Sequence, residues 1–300
     1  MNIFNQLIVT LLPFTPKVVV ARFAKPYIAG EDLADAVATV KILGAGKAMA
    51  TIDVLGEDIT TREEAVASKE ECKRVIAAIA ENTLDSNVSI KLTQLGLKID
   101  TGFCLENVEN ILEAAKARSN FVRIDMEDHT CTDDTLAIFR AVRKKYINVG
   151  IVIQAYLRRS EGDIRQLADE KANVRLCKGI YNEPAEIAFK SRSEVQQNYL
   201  RLLGILLGAR CYTGIATHDD VLIDGAKQLI RQLKFAAHEY EFQMLLGVRN
   251  DKRNELIRDG HRLRVYTPYG KRWYAYSVRR LKENPQMAGY VLKSMFGIDN

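Results

Sequence analysis

The chain has 300 residues, 47% of them hydrophobic and 27% charged, the balance of a globular protein with a sizeable core rather than a disordered one. Its net charge of +5 is uneven: from Arg249 onward twelve Lys/Arg stand against five Asp/Glu, a net of +7. A basic region of this kind attracts phosphate, anionic lipid or an anionic substrate, while the absence of an arginine-rich tract with interleaved aromatics argues against a nucleic-acid partner. The five cysteines, Cys72, Cys104, Cys131, Cys177 and Cys211, contain no CxxC pair, which excludes a zinc framework or disulfide scaffold and suits a reducing cytosol.

The chain opens on the apolar stretch MNIFNQLIVTLLPFTP, which has no positively charged leader and is broken by Pro13 and Pro16 short of a spanning length. A docking helix is expected there rather than a signal or an anchor. A helical lead-in runs through about residue 50, and then eight short β-branched or apolar runs follow at 51–57, 88–96, 121–128, 149–157, 174–181, 209–219, 240–248 and 261–268. Between them lie amphipathic stretches such as REEAVASKEECKRVIAAIAEN, LENVENILEAAKARS and TLAIFRAVRKKY, with apolar residues three and four apart. The first of these opens with Thr60 or Thr61 followed by acidic residues, an N-terminal helix signature.

Eight strands alternating with helices predict an α/β chain with a parallel sheet, and eight is the number that closes into a (β/α)8 TIM barrel. The expected division is an N-terminal helical segment, 1–50, packed on a catalytic barrel, 51–300. An open doubly wound sheet is the alternative, and the missing dinucleotide fingerprint argues against it. LGAGKA (43–48) has neither GxGxxG after a strand nor a Walker lysine, so its glycines are expected to end the lead-in helices.

In such a barrel the site lies at the C-terminal ends of the strands; polar residues there read as functional and those elsewhere as solvated. The strand ends offer Glu57, Lys91, Asp125, Gln154, Arg175, Lys178, Thr217, His218 and Tyr266. Any one of these is compatible with a paired or surface group, but charged groups brought together in an interior are costly unless they face a ligand or each other. The last helix, KRWYAYSVRRLKEN (271–284), puts Tyr276, Arg279, Arg280 and Glu283 on one face at i, i+3, i+4 and i+7. Two guanidiniums there suit a small zwitterion's carboxylate, and the phenol suits an apolar ring; a solvated helix with an Arg–Glu pair is the alternative. A catalytic metal is set aside, because His129, His218, His238 and His261 show no HxH or HExxH spacing. A Schiff-base aldolase using Lys91 or Lys178 stays open, as it requires a single desolvated lysine.

Taken together, KLTQLG, RIDMED, QAYL, VRLCKGIYNEP, IATHD, EFQMLLGV, RVYTPYG and YAYSVRRLKEN resemble the proline dehydrogenase family in its short, single-function bacterial form. The resemblance runs in matching order from the first strand to Glu283. It implies a distorted (β/α)8 barrel with a substrate-capping last helix that binds FAD without a Rossmann motif. The implied reaction is oxidation of L-proline to Δ1-pyrroline-5-carboxylate by hydride transfer from C5 to flavin N5, with electrons passed to a membrane quinone. A cytoplasmic protein, peripheral at the inner face of the cell membrane, follows from that acceptor.

The resemblance also implies roles. Lys91, Arg279 and Arg280 bind the proline carboxylate, and Tyr266, Tyr276 and Glu283 complete the pocket. Asp125 sits at the substrate nitrogen, Met126 contacts the flavin, and Gln154 and Arg175 hydrogen-bond it, Arg175 near N5. Lys178, Gly179, Ile180 and Tyr181, with Thr217 and His218, hold the rest of the cofactor. Glu57 pairs with the arginine face as a gate. Cys177 and Ile180 stand where the family is expected to show Val and Ala, and a hydroxyproline dehydrogenase of the same family remains the alternative substrate reading.

Overall fold

The computed structural model describes residues 24–56, 59–274, 276 and 277. Helix α1 (Leu33–Ala45) leads into the alternating series β1 (Met49–Val54), α2 (Arg62–Glu81), β2 (Ser86–Ile90), α3 (Thr101–Lys116), β3 (Val122–Ile124), α4 (Thr132–Arg143), β4 (Val149–Gln154) and α5 (Ser160–Asp169). It continues through β5 (Val174–Cys177), α6 (Arg192–Gly208), β6 (Thr213–Ala216), α7 (Asp220–Gln232), β7 (Tyr240–Leu245), α8 (Asn250–Arg258) and β8 (Leu263–Tyr269). Every strand overlaps its predicted run, each pairs in parallel with the next, and β8 returns to β1 to close an eight-stranded barrel.

Strand periodicity explains why the barrel has two different faces. Successive side chains alternate sides, so Ile52, Val88, Ile124, Ile151, Leu176 and Val265 turn outward and are buried against helical residues such as Val75, Ile111, Phe139 and Leu206. Their neighbours Thr51, Asp53, Ser89, Arg123, Asp125, Arg175, Glu241 and Tyr266 turn inward, where side chains of non-adjacent strands meet. Gly150 and Gly214 make room for long inward groups, since a Cβ at Gly150 would lie 2.4 Å from Arg123 Nη1 and one at Gly214 2.5 Å from Gln243 Nε2.

The helix boundaries follow local chemistry. Thr61 caps α2 by accepting from the Glu64 amide at 3.3 Å, and the Glu64 carboxylate accepts in return from the Thr61 amide, also at 3.3 Å. The glycines of 43–48 end α1, with Gly46 as its C-cap. Ala36, Val40 and Leu43 of that helix join the barrel core, and α1 packs on β1 and β8. No helix among the described residues is long and apolar enough to cross a membrane; the apolar stretch 1–16 lies outside them.

One expectation fails at the N-terminal end of the barrel, where polar strand residues are enclosed rather than solvated. Arg123 and Glu241 are each 2% exposed. Arg264 Nε donates to Glu241 at 2.8 Å and its Nη1 to the Ala50 carbonyl at 2.7 Å, while Arg123 donates to the carbonyl and side chain of Asn173 at 2.8 and 2.6 Å. Burial opposes the Glu241 charge, but Arg264 and then the Tyr212 hydroxyl overcome it and hold the carboxyl at about 2. These groups line a polar cavity of about 310 Å³ at that end. Arg123 and Glu241 are themselves enclosed at these inward positions, so their charges are satisfied by neighbouring side chains and by the frame.

Candidate active site

The opposite end holds a second charged tier, assembled by strand register. Ile124 pairs with Ile151, and Val152 with Arg175, so Asp125 at the end of β3 stands level with Arg175 near the start of β5. Their side chains meet, with Arg175 Nη1 2.7 Å from Asp125 Oδ1. Ile90 pairs with Ile124, which sets Lys91 beside Asp125 on the other side, with Nζ 3.9 Å from Asp125 Oδ2 and 2.7 Å from Asp53 Oδ1. Tyr266 completes the group: its hydroxyl donates to Asp125 Oδ2 at 3.1 Å and accepts from Lys91 at 3.3 Å, and the Arg175 guanidinium lies 5.4 Å from the centre of its ring. Ser89 Oγ donates to Asp125 Oδ1 at 2.6 Å.

Asp53, Ser89, Lys91, Asp125 and Arg175 are buried, and Tyr266 is half-buried. Burial, followed by the Asp125 and Asp53 carboxylates, holds the Tyr266 phenol well above its ordinary range, so it keeps its proton and donates. Burial works against a charged Lys91, but Asp53, Tyr266 and Asp125 together outweigh it and carry the ammonium well above its usual value. A Schiff-base nucleophile needs the opposite shift, so this environment disfavours Lys91 as an aldolase lysine. Arg175 Nε and Nη2 and Asp53 Oδ2 are enclosed yet have no hydrogen-bond partner. Buried polar groups are normally satisfied, so the spare donors beside this Asp–Tyr–Lys cluster are groups that a ligand could satisfy.

A second set of predicted residues gathers at the ends of β5 and β6. Asp219 Oδ2 accepts from Lys178 at 3.4 Å, Arg192 at 3.1 Å and Gln196 at 2.9 Å, and Thr217 Oγ1 accepts from the Asp219 amide at 3.1 Å. His218 Nε2 accepts from the Leu245 amide at 2.9 Å, tying this corner to β7. Gly179 has φ +108°, and a Cβ there would lie 2.1 Å from the Tyr156 ring, so only glycine lets the chain cross that ring. Ile180 is 40% exposed and Tyr181 half-buried. Met126 is enclosed in the core, and Gln154 Nε2 donates to the Glu127 carbonyl at 2.8 Å, fixing the loop that carries Met126.

The family model for proline dehydrogenase matches residues 36–292. The chain belongs to the proline dehydrogenase family. Proline dehydrogenase 1 of Bacillus subtilis subsp. natto is 42% identical over 272 residues, covering 91% of this chain and 90% of that protein. The proline dehydrogenase of Deinococcus radiodurans is 38% identical over 279 residues, covering 91% and 90%, so the chain has the length of the short, single-function proline dehydrogenases. Among solved structures, proline utilization A of Bdellovibrio bacteriovorus inactivated by N-propargylglycine superposes with a TM-score of 0.85 at 25% identity. That match covers 94% of this chain but 36% of the other, so the chain spans about a third of that longer protein.

Of the residues the sequence singled out in this chain, the structure brings together Lys91, Asp125, Arg175 and Tyr266 in one cluster and Lys178 and Thr217 around Asp219. Tyr276 is 8% exposed and packs with Ala24, Ile28 and Leu55, beside the end of β1. Glu57, Arg279, Arg280 and Glu283 lie outside the described residues. Asp53, Ser89 and Asp219 were missed. Asp53 was legible in principle, because TIDV alternates polar and apolar residues, but a carboxylate beyond the strand, Glu57, stood where site residues are expected. Glu183 was missed as well: it is 4% exposed, accepts from the His129 amide at 2.9 Å and pairs with the His129 ring, fastening the loop after Tyr181. Among the described residues no group of three or more His, Cys, Asp or Glu is placed to hold a metal ion.

Proposed function

We propose that this chain oxidises L-proline to Δ1-pyrroline-5-carboxylate with FAD as its cofactor, as the first step of proline breakdown, and passes the electrons to a membrane quinone. The observation that carries the reading is the Lys91–Asp125–Arg175–Tyr266 cluster at the C-terminal end of a barrel of this family, with two enclosed Arg175 N–H groups left unspent. Those donors fit the polar edge of a flavin, and the Lys178 cation at the end of β5 and the Arg192 cation at the start of α6 suit its phosphates. Gln154, Met126 and the 178–181 segment with Thr217 and His218 are assigned to the same cofactor. FAD, when bound, supplies the two-electron acceptor that the protein lacks.

The protein's own contribution is orientation and charge. In this reading Lys91, with Arg279 and Arg280, binds the carboxylate, and Tyr266 and Tyr276 wall the ring, with Glu283 on the same helix face as the arginines and Glu57 as their gate. Asp125, held by Arg175, Ser89 and Tyr266, faces the amine end and stabilises positive charge as the C5–N bond becomes double. C5 gives up its hydrogen with both bonding electrons from an amine that has already lost a proton. The barrel, 51–300, does this chemistry, and the 1–50 segment docks on it. The basic C-terminal region is assigned as a contact of a cytoplasmic protein with the inner face of the membrane, and the apolar N-terminal stretch, whose main role is docking on the barrel, is a candidate second contact.

An anaerobic visible spectrum tests the reading. L-proline is expected to bleach a flavin band and trans-4-hydroxy-L-proline to do so less well; no flavin after FAD addition would send the function elsewhere, and the reverse preference would make hydroxyproline the substrate. N-propargylglycine, which inactivates the Bdellovibrio protein, is expected to inactivate this one, with proline protecting. Co-sedimentation with anionic vesicles should weaken when residues 1–16 are removed; equal binding would discard the N-terminal contact.

A further inference from the structure

Resting on the reading that Lys91 binds the substrate carboxylate, we infer that Asp53 is a positioning residue for the reaction, holding the Lys91 ammonium against β1 and keeping Lys91 and Arg175 on separate carboxylates. The cluster contains two cations and two carboxylates within reach of each other, so their pairing has to be chosen. Distances show the choice: Lys91 is 2.7 Å from Asp53 and 3.9 Å from Asp125, while Arg175 takes Asp125 at 2.7 Å. Register explains it. Asp53 pairs with Ser89, one inward step below Lys91, so it meets the ammonium from inside the barrel and leaves the outer side turned toward the mouth. Ser89, on the same strand as Lys91 and one inward step before it, donates instead to Asp125 at 2.6 Å and reinforces the other pair.

Packing alone does not account for Asp53. It is 0% exposed, and its Oδ2 has no hydrogen-bond partner, a costly state that an apolar side chain of similar size would avoid. What the carboxylate supplies is the charge that Lys91 needs: burial pulls the ammonium toward neutrality, and Asp53 leads the groups that reverse this. Removing that carboxylate releases Lys91 both from its position and from its high proton affinity.

Steady-state kinetics of flavin-loaded Asp53→Asn, Lys91→Met and the double variant, against wild type, test this. Asp53→Asn is expected to raise proline KM about tenfold with a smaller change in kcat. It should also move the alkaline limb of kcat/KM to lower pH, because a Lys91 without its carboxylate loses its proton sooner. The double variant should match Lys91→Met, since Asp53 acts through Lys91. A purely structural role would leave the alkaline limb in place. An unmoved limb, a wild-type KM in Asp53→Asn, or a double variant clearly worse than Lys91→Met overturns the inference. If Asp53→Asn does not fold, the comparison of double variant with Lys91→Met still decides, because it removes both charges together. A Lys91→Met enzyme with wild-type proline KM would sink the site reading itself and the Asp53 inference with it.

Discussion

The two ends of the barrel are built from the same strands and the same residue types, yet they spend their charges differently. At the N-terminal end Arg264 and Arg123 are consumed by Glu241, Asn173 and backbone carbonyls, with Arg123 Nε the one guanidinium nitrogen among them that is buried without a partner. At the C-terminal end Arg175 is tied to Asp125 through a single nitrogen and keeps two enclosed groups unpaired, and Asp53 keeps one oxygen unpaired. One buried nitrogen is left unpaired at the first end and three buried groups at the second; in the function proposed above, that surplus is what a bound ligand meets. Burial alone does not distinguish the two, since both tiers are enclosed.

The sharpest test of that contrast is Arg264→Met. It strands Glu241 and is expected to cost about 3–5 kcal/mol of stability, read by urea unfolding, without moving proline KM. A kinetic defect in the folded variant would erase the distinction between the ends. The same pair predicts an acid limb. Glu241 falls from its ordinary 4.5 to about 2 on folding, so its contribution is present above about 4.5 and is lost as pH drops toward 2. Glu241→Gln should flatten the stability curve over that interval, and an unchanged slope would refute the assignment.

Arg175→Met addresses the other end. It removes the cation whose spare donors mark the site and is expected to lower kcat by about 10²–10³ and to loosen the flavin, measured by stopped-flow reduction and by flavin release on dilution. A variant that lost stability alone would show that Arg175 is a framework charge like Arg264. Gly150→Ala is the mildest of these changes. A Cβ there would press on Arg123 Nη1 at 2.4 Å and on the Asn173 carbonyl at 2.6 Å, and overpacking of this kind costs about 1–3 kcal/mol. Thermal unfolding should show the loss, with the spectrum of the bound flavin unchanged.

Much of the fold was legible because strand and helix periods are local. The run FVRIDMED and the amphipathic TLAIFRAVRKKY announce β3 and α4 without reference to anything distant, and eight such alternations leave a closed parallel barrel as the economical arrangement. Lys91, Asp125, Arg175 and Tyr266 were legible as a set by resemblance and by their place near strand ends, but the pairing among them was not. Asp53 and Asp125 are 72 positions apart in sequence, and only barrel closure brings both within reach of Lys91.

The sequence by itself determined the alternation of elements, a helix start at Thr60 or Thr61, a helix stop at the glycines of 43–48, and the polar residues that a period of two turns inward, because each depends on neighbours a few positions away. The tertiary structure decided which inward charges are framework and which are left open. Glu241 and Asp125 look alike as acidic residues flanked by apolar ones. One meets an arginine two strand positions into its neighbour and has its charge fully engaged; the other stands where register aligns a lysine, an arginine and a tyrosine from three different strands around it. That difference is set by the stagger of hydrogen-bonded strands around a closed barrel, a long-range property that no local pattern encodes.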